Sequence, residues 1–254
     1  MESRQHLAII PNSFTAGNLV CGFLAILLAM RQALAQPGVA IPQGLEPCTW
    51  LILAATLCDL LDGWLARKLG VAGSFGMKLD SFADSVTFGL APAMLLGCSL
   101  LAGPQLPHKL GWLACAAYYF GAVVRLARYN LGAPAGHHFG FEGLPSPAAA
   151  LLLVFGFMAA RAYPGGFQPW MPALAAVLAL AAGVLMVTAI PFVALKGLSP
   201  HERLAFGALA AFFLCLAPWL GLWQAAFLFL AFYVSLFGWA WVPLRRHIFK
   251  DIQD

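Results

Sequence analysis

The chain has 254 residues, 62% of them hydrophobic and only 9% charged, with a mean hydropathy of +0.84. Soluble domains are about a quarter charged, so the composition excludes an ordinary soluble protein and leaves an integral membrane protein with no room for a separate soluble domain. The net charge of +4 comes without a basic run or an interleaved aromatic patch, which argues against nucleic acid and for basic loops on one side of a membrane.

A transmembrane helix needs about 20 mainly apolar residues. On that criterion the sequence predicts an all-α, polytopic membrane protein of eight transmembrane helices, near residues 14–35, 47–67, 77–102, 109–131, 146–163, 169–195, 203–219 and 221–243. Ahead of the first span, Pro11-Asn12-Ser13-Phe14-Thr15-Ala16-Gly17-Asn18 reads as a helix start, with proline and Ser/Thr/Asn caps. Arg4, His6 and Ala33-Leu34-Ala35 loosely fit a cleavable leader, but the apolar segment is long enough to span and more spans follow, so it is expected to be retained. Pro218 leaves a second way to read the last two spans, as one broken hairpin. No internal repeat is visible, so a transporter's inverted repeat finds no support. Cys21, Cys48, Cys58, Cys98, Cys115 and Cys215 fall mostly inside apolar runs without C-x-x-C spacing, and read as small buried hydrophobes.

Lys/Arg asymmetry sets the expected orientation. With an even span count, one side receives Arg4, Arg67, Lys68, Lys78, Arg125, Arg128, Lys196, Arg203, Arg245, Arg246 and Lys250, and the other only Arg31, Lys109 and Arg161. Both termini are therefore expected in the cytoplasm. Trp50, Trp112, Trp170, Trp219 and Trp223 fall near the outer ends, where an interfacial belt belongs.

The second and third spans carry four carboxylates in the order Asp59-x-x-Asp62-Gly63-x-x-Ala66-Arg67, eight residues, Gly76-x-x-x-Asp80-x-x-x-Asp84. One Asp at a membrane-helix centre costs about 2.5–3.5 kcal/mol on insertion scales, so four argue for a function. At 1.5 Å per residue, Asp62 lies about 7–8 Å below Arg67 and Asp84 about 10 Å below Met77, so the two pairs sit at similar depth just inside the cytoplasmic boundary. The i, i+3 and i, i+4 spacings put each pair on one helix face, flanked by Gly63, Ala66 and Gly76, which have almost no side chain. Such oxygen ligands suit Mg²⁺ or Mn²⁺, and two metals on four carboxylates can clamp an in-line phosphoryl displacement. Arg67 adds a planar donor for phosphate. Two other readings stay open: a proton or cation pathway, and structural pairing with Arg67, Lys68 and Lys78.

The pattern resembles the signature of the CDP-alcohol phosphotransferase family at every defined position. The resemblance implies two divalent cations, Mg²⁺ or Mn²⁺, held by Asp59, Asp62, Asp80 and Asp84, with Asp84 as the base that deprotonates the acceptor alcohol. It also implies CDP contacts at Gly63, Ala66, Arg67 and Gly76, and, through a Pro-Asn-x-x-Thr pattern in the first helix, at Asn12 and Thr15. A homodimer is implied by the family's known members.

The acceptor must be read from the flanks. Arg125-Leu126-Ala127-Arg128-Tyr129-Asn130 and Gly143-Leu144-Pro145-Ser146-Pro147 are similar to segments of the bacterial and archaeal phosphatidylserine synthase branch. That resemblance implies CDP-diacylglycerol and L-serine as substrates, with Arg125, Arg128 and Asn130 on the serine carboxylate and the active site facing the cytoplasm of a bacterial or archaeal cell membrane. Arg125 and Arg128 suit an acceptor phosphate equally, so glycerol 3-phosphate, inositol phosphate and choline remain as alternatives. Residues 1–200 would form the six-span core, and 201–254 two further spans and a cytoplasmic tail. Thr188-Ala189-Ile190-Pro191-Phe192 departs from the branch and puts acceptor contacts from the sixth span in doubt, while His137 and His138 read as a solvated loop pair.

Overall fold

Among the described residues the long apolar runs fold as helices, because within hydrocarbon only internal hydrogen bonding satisfies the backbone. The computed structural model describes residues 2–36, 44–71, 73–100, 108–131, 141–162, 171–188, 190–192 and 200–239. Expectations placed on His137, His138, Trp170, Lys196, Arg245, Arg246 and Lys250 lie outside these residues. The helices are α1 (Glu2–Ala35), α2 (Glu46–Leu69), α3 (Ser74–Asp84), α4 (Ala91–Leu100), α5 (His108–Asn130), α6 (Ser146–Arg161), α7 (Met171–Val187), α8 (Pro200–Leu220) and α9 (Leu222–Trp239). A π-helical turn, Ser85–Leu90, joins α3 to α4, so the described residues form eight helical rods.

Four rods are long and apolar enough to cross a membrane: Leu7–Ala35, Glu46–Lys68, Ser74–Cys98 and Lys109–Asn130. The remaining four contain shorter apolar helices. At 17 residues α7 rises about 26 Å, a little under a typical hydrocarbon thickness of about 30 Å. The protein is a polytopic integral membrane protein.

Two boundaries differ from the sequence reading, and a third point it raised is settled as it expected. Residues 11–18 are helix interior rather than a helix start: α1 already runs from Glu2, with Pro11 inside it, and Ser13 and Thr15 hydroxyls reach back to the carbonyls of Ile9 and Pro11. The sixth span ends at Val187 rather than near 195. There Pro191–Phe192 pairs antiparallel with Phe141–Glu142, and the Gly143 and Leu144 N–H groups donate to the Ile190 and Leu185 carbonyls at 2.8 and 3.0 Å. Backbone taken up by this clip cannot continue a helix. Finally, α8 and α9 are separate helices that break at Gly221, whose φ of +95° only glycine adopts without strain, and Pro218 sits inside α8.

Alanines recur through the core beside larger residues such as Tyr118, Leu45 and Ile52, as expected where close helix packing drives association in lipid. Ala25 and Ala29 of α1, Ala114 and Ala122 of α5, and Ala179 and Ala182 of α7 are all buried. The α5–α7 crossing is backbone on backbone: a Cβ on Gly121 would lie 2.5 Å from the Gly183 carbonyl oxygen, and one on Gly183 2.9 Å from that of Ala117. Antiparallel α1 and α2 pack side by side, which brings the start of α1 against the end of α2. The opposite end holds the Arg161–Glu46 ion pair at 2.7 Å and the Trp50–Trp223 edge contact, with ring centroids 5.5 Å apart.

Candidate active site

The four aspartates come from two helices whose ends differ in how they are fixed. The α2 pair precedes a glycine stop at Gly70, with φ of +64° and its N–H bonded to the Arg67 carbonyl. The α3 pair precedes the π-helical turn directly, so Asp84 is the last α-helical residue before the backbone widens. Asp59, Asp62 and Asp80 each offer an oxygen, and these oxygens all lie within 4.8 Å of one another. A cation about 2.1 Å from each ligand spaces cis oxygens near 3 Å and trans oxygens near 4.2 Å, so the three are close to a chelating arrangement. Asp80 Oδ1 is buried and has no hydrogen-bond partner among the described residues, the condition of an oxygen waiting for a cation. The residues therefore fit a divalent metal.

Asp84 stands beside this group rather than within it. It is 8% exposed and repelled by Asp59, Asp80 and Asp62, which places its carboxylate in the same field. Arg125 of α5 lies near enough to the cluster to feel the attraction of Asp84 and Asp59. Arg67, Lys68 and Lys78 make no ion pair with the quartet among the described residues, and Lys68 instead lies over the Trp64 ring, 4.5 Å from its centroid.

Helix α1 supplies polar partners to both pairs. Thr15 Oγ1 donates to Asp62 Oδ2 at 2.7 Å, and Asn18 Nδ2 donates to Asp84 Oδ1 at 3.1 Å. Thr15, Asn18 and Gly22 form one buried stripe that continues into Ala25 and Ala29, so the polar positions lie on the face that packs inward. Asn12 approaches the glycine before the α3 pair: a Cβ on Gly76 would lie 3.1 Å from Asn12 Oδ1. Arg67 folds back over Gly63, where a Cβ would lie 3.3 Å from its terminal nitrogen. Asn12, Gly76, Gly63 and Arg67 are thus set around the carboxylates by contacts that a larger side chain would obstruct. Ala66 lies on the same turn as Gly63 and Arg67, half-buried.

The three residues proposed for the acceptor are distributed differently. Arg125 donates to Ser146 Oγ at 2.9 Å, tying α5 to the start of α6 while lying near the carboxylates. Arg128 donates to the Val187 carbonyl at 2.7 Å and so closes the C-terminal end of α7. Asn130 Oδ1 accepts from Ser81 Oγ at 3.0 Å, linking the end of α5 to α3 one residue past Asp80. Ser146, fully buried in the Gly-Leu-Pro-Ser-Pro segment, and Ser81 are contacts the sequence reading did not single out. Asn18 was within the quoted stretch, and its i+3 spacing from Thr15 was the available signal.

Residues 8–187 match the sequence model of the CDP-alcohol phosphatidyltransferase family. A protein of Mycobacterium leprae named CDP-diacylglycerol–serine O-phosphatidyltransferase is 32% identical over 228 residues, covering 86% of this chain and 71% of the relative. One of the same name from Methanocaldococcus jannaschii is 32% identical over 192 residues, covering 76% of this chain and 77% of the relative. An archaetidylserine synthase of Methanothermobacter thermautotrophicus is 30% identical over 191 residues, covering 74% of this chain and 71% of its own.

Proposed function

The chain belongs to the CDP-alcohol phosphatidyltransferase family, and from that premise we propose that it transfers the phosphatidyl group of CDP-diacylglycerol to L-serine, giving phosphatidylserine and CMP. The observation that carries the chemistry is the clustering of Asp59, Asp62 and Asp80 oxygens within 4.8 Å of one another, with Asp84 and Arg125 in the same field. The serine assignment is supported by the names of the relatives, both CDP-diacylglycerol–serine O-phosphatidyltransferases and an archaetidylserine synthase.

In this reading the serine hydroxyl oxygen attacks the phosphorus that bears diacylglycerol. The new P–O bond forms as the bond from that phosphorus to the CMP oxygen breaks, and the hydroxyl proton passes to Asp84. Divalent cations held by Asp59, Asp62, Asp80 and Asp84 would supply charge neutralisation of the pyrophosphate and of the departing CMP. Arg67 reaches the pyrophosphate from its position over Gly63, and Asn12, Thr15, Ala66 and Gly76 border the nucleotide. Arg125 meets the serine carboxylate, with Arg128 and Asn130 at the rim. Arg67, Lys68, Lys78, Arg125 and Arg128 cluster at the site end of the helices, which by the positive-inside rule supports a site that faces the cytoplasm, with the diacyl chains entering from that leaflet.

Asp84→Asn tests the base assignment. The variant should lose CMP release while retaining CDP binding in Mg²⁺, and a variant that turns over normally removes Asp84 from that role.

A further inference from the structure

Asn18 is the residue most closely tied to Asp84. Its side chain is fully buried, and Nδ2 donates to Asp84 Oδ1 at 3.1 Å. Its backbone is held as well: Thr87 Oγ1, in the π-helical turn, donates to the Asn18 carbonyl at 3.1 Å. Thr87 reaches α1 because Gly22, one turn further along, has no side chain; a Cβ there would collide with the Thr87 hydroxyl and lie 2.8 Å from its Cα. The turn is anchored from its other side by Tyr118, whose hydroxyl donates to the Phe88 carbonyl at 2.7 Å. A π-helical turn is widened by about one residue and leaves carbonyls that other groups must satisfy. Here Tyr118 satisfies one such carbonyl and Thr87 ties the turn to α1, so both hold the segment that begins immediately after Asp84.

A carboxylate repelled by Asp59, Asp80 and Asp62 needs a donor on one oxygen to keep its rotamer. A cationic donor would compete with metal for the same charge, whereas an amide holds the carboxylate and adds none. Asn18 Oδ1 is buried without a hydrogen-bond partner among the described residues, so this amide is engaged through its donor alone.

We infer that Asn18 is a positioning residue for the transfer reaction: its amide fixes Asp84 Oδ1 so that Oδ2 is presented to the acceptor hydroxyl. The inference rests on the reading of Asp84 as the base, and goes beyond it by naming the group that aims it.

The test compares Asn18→Leu and Thr87→Val with the intact protein by kcat for CMP release, by KM for each substrate, and by calorimetric CDP binding in Mg²⁺. Leucine matches asparagine in size without a donor, and valine matches threonine without the hydroxyl. Asn18→Leu should lower kcat by about 100-fold, the scale of an approximately 1 Å misplacement of a reacting group, with CDP affinity and the KM for CDP-diacylglycerol unchanged. Thr87→Val, which releases only the backbone tether, should lower kcat by about tenfold with the same unchanged binding. Wild-type kcat in Asn18→Leu overturns the inference, and so does a loss of CDP binding in step with kcat, the mark of a merely structural residue. Should Asn18→Leu fail to fold, Thr87→Val decides by the same two criteria. Asp84→Asn separates the layers: turnover in that variant sinks the base reading, whereas an inactive Asp84→Asn beside a fully active Asn18→Leu sinks the positioning inference alone.

Discussion

Thr15→Val removes a single hydrogen bond from the metal-ligand side of the site and keeps the volume and β-branch of the residue. Thr15 Oγ1 donates to Asp62 Oδ2 at 2.7 Å with both side chains buried, while the Pro11 carbonyl is a weaker alternative acceptor at 3.3 Å. A hydrogen bond to a charged group contributes about 1.5–3 kcal/mol. If that energy orients Asp62 for a cation, its loss corresponds to roughly 10–150-fold in metal affinity, in line with the 10–100-fold typical of groups that hold metal ligands. The assay is CMP release titrated with Mn²⁺ or Mg²⁺ at saturating CDP-diacylglycerol and serine. The half-activating metal concentration should rise by about one to two decades, with kcat recovered at saturating metal. An unchanged metal titration would refute this role, and a rise confined to the KM for CDP-diacylglycerol would return Thr15 to the nucleotide contact that the sequence suggests.

Two further outcomes are expected. Arg125→Lys replaces the guanidinium bonded to Ser146 and near Asp84 with a point charge, and should raise the KM for serine by at least about tenfold while the KM for CDP-diacylglycerol holds; an equal rise in both would place Arg125 elsewhere in the site. Gly183→Val inserts a side chain where even a Cβ would sit 2.9 Å from the Ala117 carbonyl, and should cost about 1–3 kcal/mol, read as a lowered Tm in detergent; an unchanged Tm would show that α5 and α7 can move apart freely.

The quartet was legible because carboxylates stand out in an apolar run and because their spacing matches the helical period. Asp59, Asp62, Asp80 and Asp84 fall on facing sides of two antiparallel rods for that reason alone, and the eight-rod count followed from hydropathy. The rest depended on contacts distant in sequence. Residues 11–18 read as the start of a helix, but α1 already runs from Glu2 and continues through them, and Asn12 ends beside Gly76. The end of α7 is set by pairing between Pro191–Phe192 and Phe141–Glu142, some fifty residues apart, which no local pattern announces. The π-helical turn is stabilised by Tyr118 and by the α1 backbone at Asn18, again from other helices. Arg128 reads as a ligand group by its position near Arg125; its hydrogen bond to the Val187 carbonyl, which closes α7, joins residues 59 apart and had no local signal.

The most direct test of the central claim is CMP release by the purified protein with CDP-diacylglycerol and Mg²⁺ or Mn²⁺, comparing serine, glycerol 3-phosphate, inositol phosphate and choline with and without chelator. The account predicts release that requires serine and stops when the chelator is added. Release with a different alcohol alone would contradict the serine assignment and leave the four-aspartate chemistry standing. Serine-dependent release that survives the chelator would contradict that chemistry itself.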